Sequence, residues 1–307
     1  MNGFSGFKGK LEESFPLGLK TTWRIGGKAD YFAIPQDLED LVYLLDKVKK
    51  IGTPLYIIGR GSNLLIEDAG VPGVTVHLGS AFQYIKRDGT RLTVGACTPM
   101  PTLAIKAATL GFSGYEHLIG IPGTVGAGIV INAGKGTAGD MDMRGILKTT
   151  TYLTERLTLE VADGKDLDLV YRSSRLKNSM NIVVEGDFEL NKVMDQKLIE
   201  GRQKEIIAER QKKFPVSFPS SGSVFKKPEN APPAGKLIET AGLKGYRVGG
   251  AQVSTVHANF LINVDSATSL DMKNLISEII EKVSKFHGIV LEREVIFWPE
   301  EANWKGK

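Results

Sequence analysis

The sequence predicts an α+β protein, and three observations carry that expectation. Amphipathic helices and short β runs are both present, but they do not alternate as regular strand–helix–strand units along the whole chain. Glycine is enriched, 35 of 307 residues, against about 7% in ordinary usage, and shows no collagen-like period. The texture also changes near residue 200, where a run of short β segments gives way to a polar helical stretch.

The first region opens with ADYFAIP (29–35) as a strand. Residues 38–50 then place Leu38, Leu41, Val42, Leu45 and Val48 at helical spacing, with Gly52 as the stop. PLYIIG follows as a short buried strand that runs into the loop Gly59-Arg60-Gly61-Ser62-Asn63. From about 73 to 190 the β runs are VTVHL, RLTVGA, LTLEVA and NIVVEGDFEL. A helix at about 99–110 interrupts them, with Thr98 as its N-cap, Pro99 in its first turn and Gly111 as its stop. The stretch from Gly120 to Gly128 carries too little side-chain bulk for an ordinary core strand. Residues 195–213 predict a polar helix ending before Pro215. An amphipathic helix follows at about 269–287, with Leu275, Ile276, Ile279, Ile280, Val283 and Phe286 on one face and Gly288 at its end. IVLEREVIFW is the last expected strand.

Composition narrows the function. Apolar residues make up 42% and charged residues 24%, and the net charge is +4 with no dense basic block, so nucleic acid is not an expected partner. The single cysteine, Cys97, excludes an intrachain disulfide and a Cys-based zinc site, and no metal is expected; Cys97 reads as a small buried hydrophobe. MNGFSGFKGKLEESF has no apolar core of signal-peptide length, and no window approaches 18 apolar residues. The cytoplasm is therefore the expected compartment, without membrane insertion.

Glycine patterns point to a nucleotide. Gly134 to Gly139 matches GxGxxG, but no amphipathic helix of the required length opens behind it, and no P-loop is present. The loop at 59–63 differs, because it follows a buried strand and its backbone N–H groups can converge on an anion. Taken alone, that loop reads equally as a plain turn. A second glycine-rich stretch at 120–134, with the amide of Asn132, favours a dinucleotide cofactor cradled by both.

Seven segments in this order resemble the UDP-N-acetylenolpyruvoylglucosamine reductase family: TTWRIGGKADYFAIP, IIGRGSNLLIEDAGVPG, GYEHLIGIPGTVGAG with INAG, VYRSSRLK, PSSGSVFKKP, AGKLIETAGLKGYRVGGAQVSTVHANFLIN and LEREV. They span about residues 21 to 295. The resemblance implies a PCMH-type FAD-binding region of two α+β subdomains (1–72 and 73–200) and a C-terminal α+β substrate-binding domain (201–307). The spacing between Arg172 and Ser223 is that of the shorter family type, which lacks an extra substrate loop. Three departures are visible: Gly126-Ala127-Gly128 where Gly-Gly-Ala is usual, Lys135 where an aromatic residue is common, and Lys226-Lys227-Pro228 where Lys-Asn-Pro is usual.

The resemblance also implies chemistry. FAD, held without a covalent bond, takes hydride from NADPH and delivers it to the enolpyruvyl group of UDP-N-acetylglucosamine enolpyruvate, giving UDP-N-acetylmuramate for peptidoglycan. Arg172 faces the carboxylate and developing enolate, Ser223 donates the proton, and Glu294 stabilises the intermediate; the spacing in LEREV favours Glu294 over Glu292. Implied cofactor contacts are Ile58, Gly59, Arg60, Gly61, Ser62, Asn63 and Leu64, then Pro122, Gly123, Thr124, Gly126, Ala127, Gly128, Asn132, Ala133 and Gly134, with Ile182 beyond. Lys226, Lys227 and Lys244 are the expected substrate cations. Tyr246, Gln252 and His257 are further groove candidates, His257 chiefly as a structural hydrogen-bonding residue. A monomer is expected. The competing readings are a covalent-flavin oxidase of the same fold, which commonly tethers flavin through a histidine where this loop has Ser62 and Asn63, and a binding protein without turnover.

Overall fold

The computed structural model describes residues 2–134, 141–190 and 192–301. Its first sheet has the order β1-β2-β5-β3 (Lys10–Pro16, Lys28–Ile34, Val71–Val76, Leu55–Ile57). β1 and β2 pair antiparallel, whereas β2, β5 and β3 run parallel. Strand alternation assigns the two faces: Ala33, Leu55, Val74 and Val76 face one core, while Phe32, Tyr56 and Val71 face another. The helix α1 (Leu38–Ile51) adds Leu41, Leu44, Leu45 and Val48 to the first of these cores. Asp37 caps α1 by accepting from the Asp40 amide at 2.8 Å, and Gly52 closes it at φ 76°.

The second sheet is antiparallel, ordered β6-β7-β10-β8-β9 (Ile85–Asp88, Arg91–Gly95, Ile182–Glu189, Leu147–Leu153, Leu159–Asp163). Leu92, Val94, Val184 and Phe188 share one continuous core with α1, α2 (Met100–Thr109) and α3 (Val125–Val130). Here a local expectation fails. Thr98 is not the cap of α2: its hydroxyl donates to the Tyr84 carbonyl at 3.1 Å, and Pro99 occupies the N-cap position.

The third sheet, β11-β14-β13-β12 (Ser220–Ser223, Phe260–Asn263, Ala251–Val253, Arg247–Val248), packs against α5 (Ala234–Thr240) and α6 (Ser269–His287). α6 begins in a capping box formed by Thr268 and Asp271, and Gly288 ends it at φ 68°. Leu275, Ile276, Ile279 and Val283 are buried as the periodicity predicts, whereas Phe286, expected on the same face, is 66% exposed. The helix outlasts its core by one turn there.

Chain boundaries and spatial units do not coincide. The expected division at 72/73 runs through β5, which sits between β2 and β3 in the first sheet. The division at 200/201 cuts α4 (Gln196–Lys213), which packs on α2, with the Gln203 side chain donating to the Ala104 carbonyl at 2.9 Å. IVLEREVIFW is not one strand. Only β15 (Ile296–Trp298) is regular, and it pairs parallel with β4 (Leu64–Ile66). The residues before it leave the third sheet and cross to that pairing, so no single ladder holds all ten. Of the GxGxxG stretch only Gly134 is described; the rest, with Lys135, lies outside the described residues. Among the described residues no helix is long and apolar enough to cross a membrane.

Trp23 joins the N-terminal chain to the third sheet. It is fully buried, its indole N–H donates to the Leu261 carbonyl at 2.8 Å, and its own carbonyl accepts from Asn263 at 3.0 Å. Trp23→Phe removes this buried hydrogen bond and leaves a cavity, so chemical denaturation should show a loss of about 2 to 4 kcal/mol. An unchanged unfolding midpoint would remove Trp23 from this role.

Candidate functional site

A cleft of about 320 Å³ opens beside the third sheet, and Arg172, Ser223 and Glu294 all line it. Each reaches it from a different segment. Ser223 ends β11, directly after Gly222 at φ 79°, where the pairing with β14 shifts register. Gly222 adopts the left-handed backbone that reorients the chain at this point. Glu294 lies in the crossing segment: its amide donates to the Val224 carbonyl at 2.7 Å, and its carbonyl accepts from the Asn63 side chain at 3.1 Å. Arg172 lies on the loop between β9 and β10, where the backbone takes φ 56°.

Arg172 and Glu294 form an ion pair, Nε to Oε1 at 2.6 Å, with side chains 19% and 13% exposed. The guanidinium also donates to the Gly134 carbonyl at 3.3 Å and lies over the Tyr171 ring. Burial raises the Glu294 carboxyl above the usual carboxylate range, although Arg172, Lys177 and Lys226 each pull it back. The close geometry and the raised value are not in conflict. Both follow from one placement, because desolvation of the charged form outweighs even a well-made ion pair. Glu292, the neighbouring candidate, is exposed and pairs with Lys226.

The expected substrate cations divide. Lys227 and Lys244 line the cleft, and Lys244 pairs with Glu239 at 2.9 Å. Lys226 is not in the lining; besides its ion pair with Glu292, its amide donates to the Glu292 carbonyl at 2.8 Å. His257 lines the cleft among Phe214 and Phe260, accepts from the Asn259 amide at 3.3 Å and is lowered by burial below the usual histidine value. Tyr246 and Gln252 lie outside the lining: Tyr246 bonds Glu278, and Gln252 donates to the Gly245 carbonyl at 3.0 Å.

The two glycine loops meet. A Cβ on Gly59 would fall 2.9 Å from Thr124 Oγ1, and the Ser62 hydroxyl donates to the Pro122 carbonyl at 3.3 Å. Gly61 sits at φ 59°, where a Cβ would lie 2.1 Å from the Lys20 carbonyl oxygen, so no other residue fits. Several expected cofactor contacts have structural duties instead. The Asn132 amide, expected to face a ligand, donates to Asp142 and to the Val170 carbonyl, while its oxygen accepts from the Arg144 amide. The Gly126 amide donates to the Ala96 carbonyl, and Cβ atoms on Gly126 and Gly128 would strike Ala96 and the side chains of Met100 and Met143. Ile58 and Ile182 are buried in cores, Leu64 begins β4 and Ala133 is buried.

Beside the loops lies a groove of about 420 Å³, lined by Arg60, Pro122 and Gly123 together with Ile119, Ile207 and Arg210. Burial lowers the Arg210 guanidinium, and among the described residues no carboxylate lines the groove. Two guanidiniums without a carboxylate, against apolar walls, fit the pyrophosphate and flat rings of a dinucleotide such as FAD. Arg210 was not singled out from sequence. Its signal was the helical spacing of Gln203, Ile206, Ile207 and Arg210 on one face of α4, together with Gly120, where a Cβ would meet the Arg210 stem at 2.4 Å. Among the described residues no group of three or more His, Cys, Asp or Glu side chains is placed to hold a metal.

Comparisons with known proteins agree with this layout. Residues 29–156 match the family model of an FAD binding domain, and residues 214–298 match that of the UDP-N-acetylenolpyruvoylglucosamine reductase C-terminal domain. The chain is 39% identical over 289 residues to the UDP-N-acetylenolpyruvoylglucosamine reductase of Heliobacterium modesticaldum, covering 94% of this chain and 91% of that protein. It is 41% identical over 300 residues to the enzyme of that name from a Synechococcus species, covering 94% and 93%. The crystal structure of the reductase from Thermus caldophilus superposes with a TM-score of 0.79 at 31% identity, over 95% of this chain and 99% of that one. With such likeness running through both the glycine loops and the cleft, the chain belongs to the UDP-N-acetylenolpyruvoylglucosamine reductase family.

Proposed function

We propose that this chain reduces the enolpyruvyl group of UDP-N-acetylglucosamine enolpyruvate to UDP-N-acetylmuramate, with NADPH as reductant, in the cytoplasm. The observation that carries the reading is the meeting of Arg172, Ser223 and Glu294, distant in sequence, on one cleft that also presents Lys227 and Lys244. When bound, FAD supplies the redox chemistry, passing reducing equivalents from NADPH to the enolpyruvyl methylene carbon. Arg60 and Arg210, with the loops at 59–63 and 122–124, are the residues that would hold it.

Reduction at the methylene carbon leaves negative charge on the neighbouring carbon, delocalised into the substrate carboxylate. Arg172 is a permanent cation preset for that charge, because Glu294 and the Gly134 carbonyl already orient its guanidinium. Ser223 donates the proton that completes the reduction. A hydroxyl is a weak acid, so its part depends on placement next to cationic groups that stabilise the alkoxide. Glu294 holds Arg172 in place and, with its affinity for a proton raised by burial, is suited to share or return one. Lys227 and Lys244 are point charges suited to the diphosphate.

Ser223→Ala should leave flavin reduction by NADPH nearly intact in anaerobic stopped-flow, while slowing reoxidation by the enolpyruvyl nucleotide sugar by about 10²- to 10⁴-fold. Equal slowing of both half-reactions would show that the serine is not the specific proton donor. With Ser62 and Asn63 in the first loop, acid denaturation should release FAD into the filtrate; colour retained on the polypeptide would point to the oxidase reading. Glu294 also sets a pH dependence. Its folded-state value is raised, so its contribution to stability is fully present below the unfolded value and is lost as pH rises through the folded one. The stability of the wild type relative to Glu294→Gln should therefore decline as pH rises from the ordinary glutamate value of 4.5. A difference that stays flat across that range would contradict the raised value.

A further inference from the structure

The loop carrying Arg172 contains a contact that the reaction as described does not use. Arg172 sits at φ 56°, a left-handed conformation that is unfavourable for a residue with a Cβ and persists only where surroundings impose it. The loop is anchored on both sides of that residue. Val170 accepts from the Asn132 amide at 3.1 Å and exchanges backbone hydrogen bonds with Ser173, both at 3.1 Å. The Ser174 hydroxyl donates to the Val130 carbonyl at 2.6 Å. Between these anchors the Arg172 carbonyl accepts from Lys177 Nζ at 3.1 Å.

Lys177 is half-buried, and among the described residues it forms no ion pair within 4.0 Å. Burial, with the charge of Lys226, pushes its ammonium below the usual lysine value, against the pull of Glu294, Glu292 and Glu301. The acceptor that this ammonium meets is a backbone carbonyl, the one on Arg172, and a half-buried ammonium is placed at least cost where it is hydrogen-bonded. Lys177 is also absent from the lining of the cleft, whereas Tyr171 and Arg172 belong to it. Its direct hydrogen bond to the site is the one to the Arg172 carbonyl.

We propose that Lys177 is a positioning residue: its ammonium holds the Arg172 carbonyl and so fixes the left-handed backbone that keeps the guanidinium on Glu294 and at the cleft. The proposal rests on the reading of Arg172 as the cation that faces the substrate. Its test uses the FAD-loaded full chain carrying Lys177→Met, Lys177→Gln or Lys177→Arg, with flavin content and thermal melting measured beside both half-reactions. Lys177→Met should keep its flavin and be reduced by NADPH within about twofold of wild type, yet be reoxidised by substrate roughly tenfold or more slowly. Lys177→Arg, which keeps a cationic donor, should recover most of that rate. In an Arg172→Ala background the Lys177→Met change should add nothing further.

A normal reoxidation rate in Lys177→Met with a slow Arg172→Ala overturns the proposal alone. So does a full additional loss in the Arg172→Ala background, which would mean that Lys177 acts by a route other than Arg172. Arg172→Ala reoxidised at the wild-type rate overturns the underlying reading and the proposal with it. If Lys177→Met does not fold, Lys177→Gln against Lys177→Arg decides the same question, a slow Gln variant rescued by Arg being the supporting result and two equal rates the opposing one.

Discussion

The arrangement of the cleft depends on how the chain holds the backbone of Glu294. Its amide is taken by Val224, next to Ser223, and its carbonyl by the side chain of Asn63, in the first glycine loop. Two residues later, the Ile296 amide donates to the Asn63 carbonyl at 3.1 Å, and β15 then pairs with β4. A single crossing segment thus fixes three things: the carboxylate that orients Arg172, the end of the strand that bears Ser223, and the loop beside the nucleotide groove. Together with the Trp23 contacts to Leu261 and Asn263, that crossing ties the third sheet to the N-terminal chain. The buried packing agrees, since Trp23, Ile25, Leu65 and Phe297 belong to the same core as α6, although all four come from the chain on either side of the crossing.

The electrostatics follow from the same enclosure. Arg172 and Glu294 are both largely out of water, so the pair is held by geometry rather than by net Coulombic gain. An arrangement of that kind is costly to the fold yet useful to a reaction that develops negative charge, because the cation is oriented before the charge appears. The groove beside the glycine loops works the other way. Arg60 and Arg210 lie there with no lining carboxylate among the described residues, a state that an anionic ligand relieves. Glycine serves both regions for different reasons. Gly61 supplies a conformation, Gly120 supplies the space taken by the Arg210 stem, and Gly126 and Gly128 allow α3 to lie against Ala96 and the methionines.

Much of the architecture was legible in the sequence wherever local signals were strong. α1 and α6 begin and end within a residue or two of their predicted bounds, because Asp37, Thr268, Gly52 and Gly288 act on their immediate neighbours. β8 was not singled out, since LKTTTYL has a weakly apolar face, and its burial comes from its place between β10 and β9. The strand expected over IVLEREVIFW failed for a related reason. Its apolar residues are genuinely buried, Leu291 and Val295 in one core and Trp298 in another, but local sequence does not say that the segment changes partners midway.

The site divides along the same line. Family motifs in the sequence determined which residue types were available at 172, 223 and 294, and the glycine pattern determined where the backbone could turn tightly or approach a ligand. Tertiary structure alone decided that Glu292 faces Lys226, that the Asn132 amide serves the protein, and that Arg210 stands beside Arg60. Those outcomes are set by contacts between residues tens to hundreds of positions apart. Periodicity and local spacing carry no information about which distant surfaces meet.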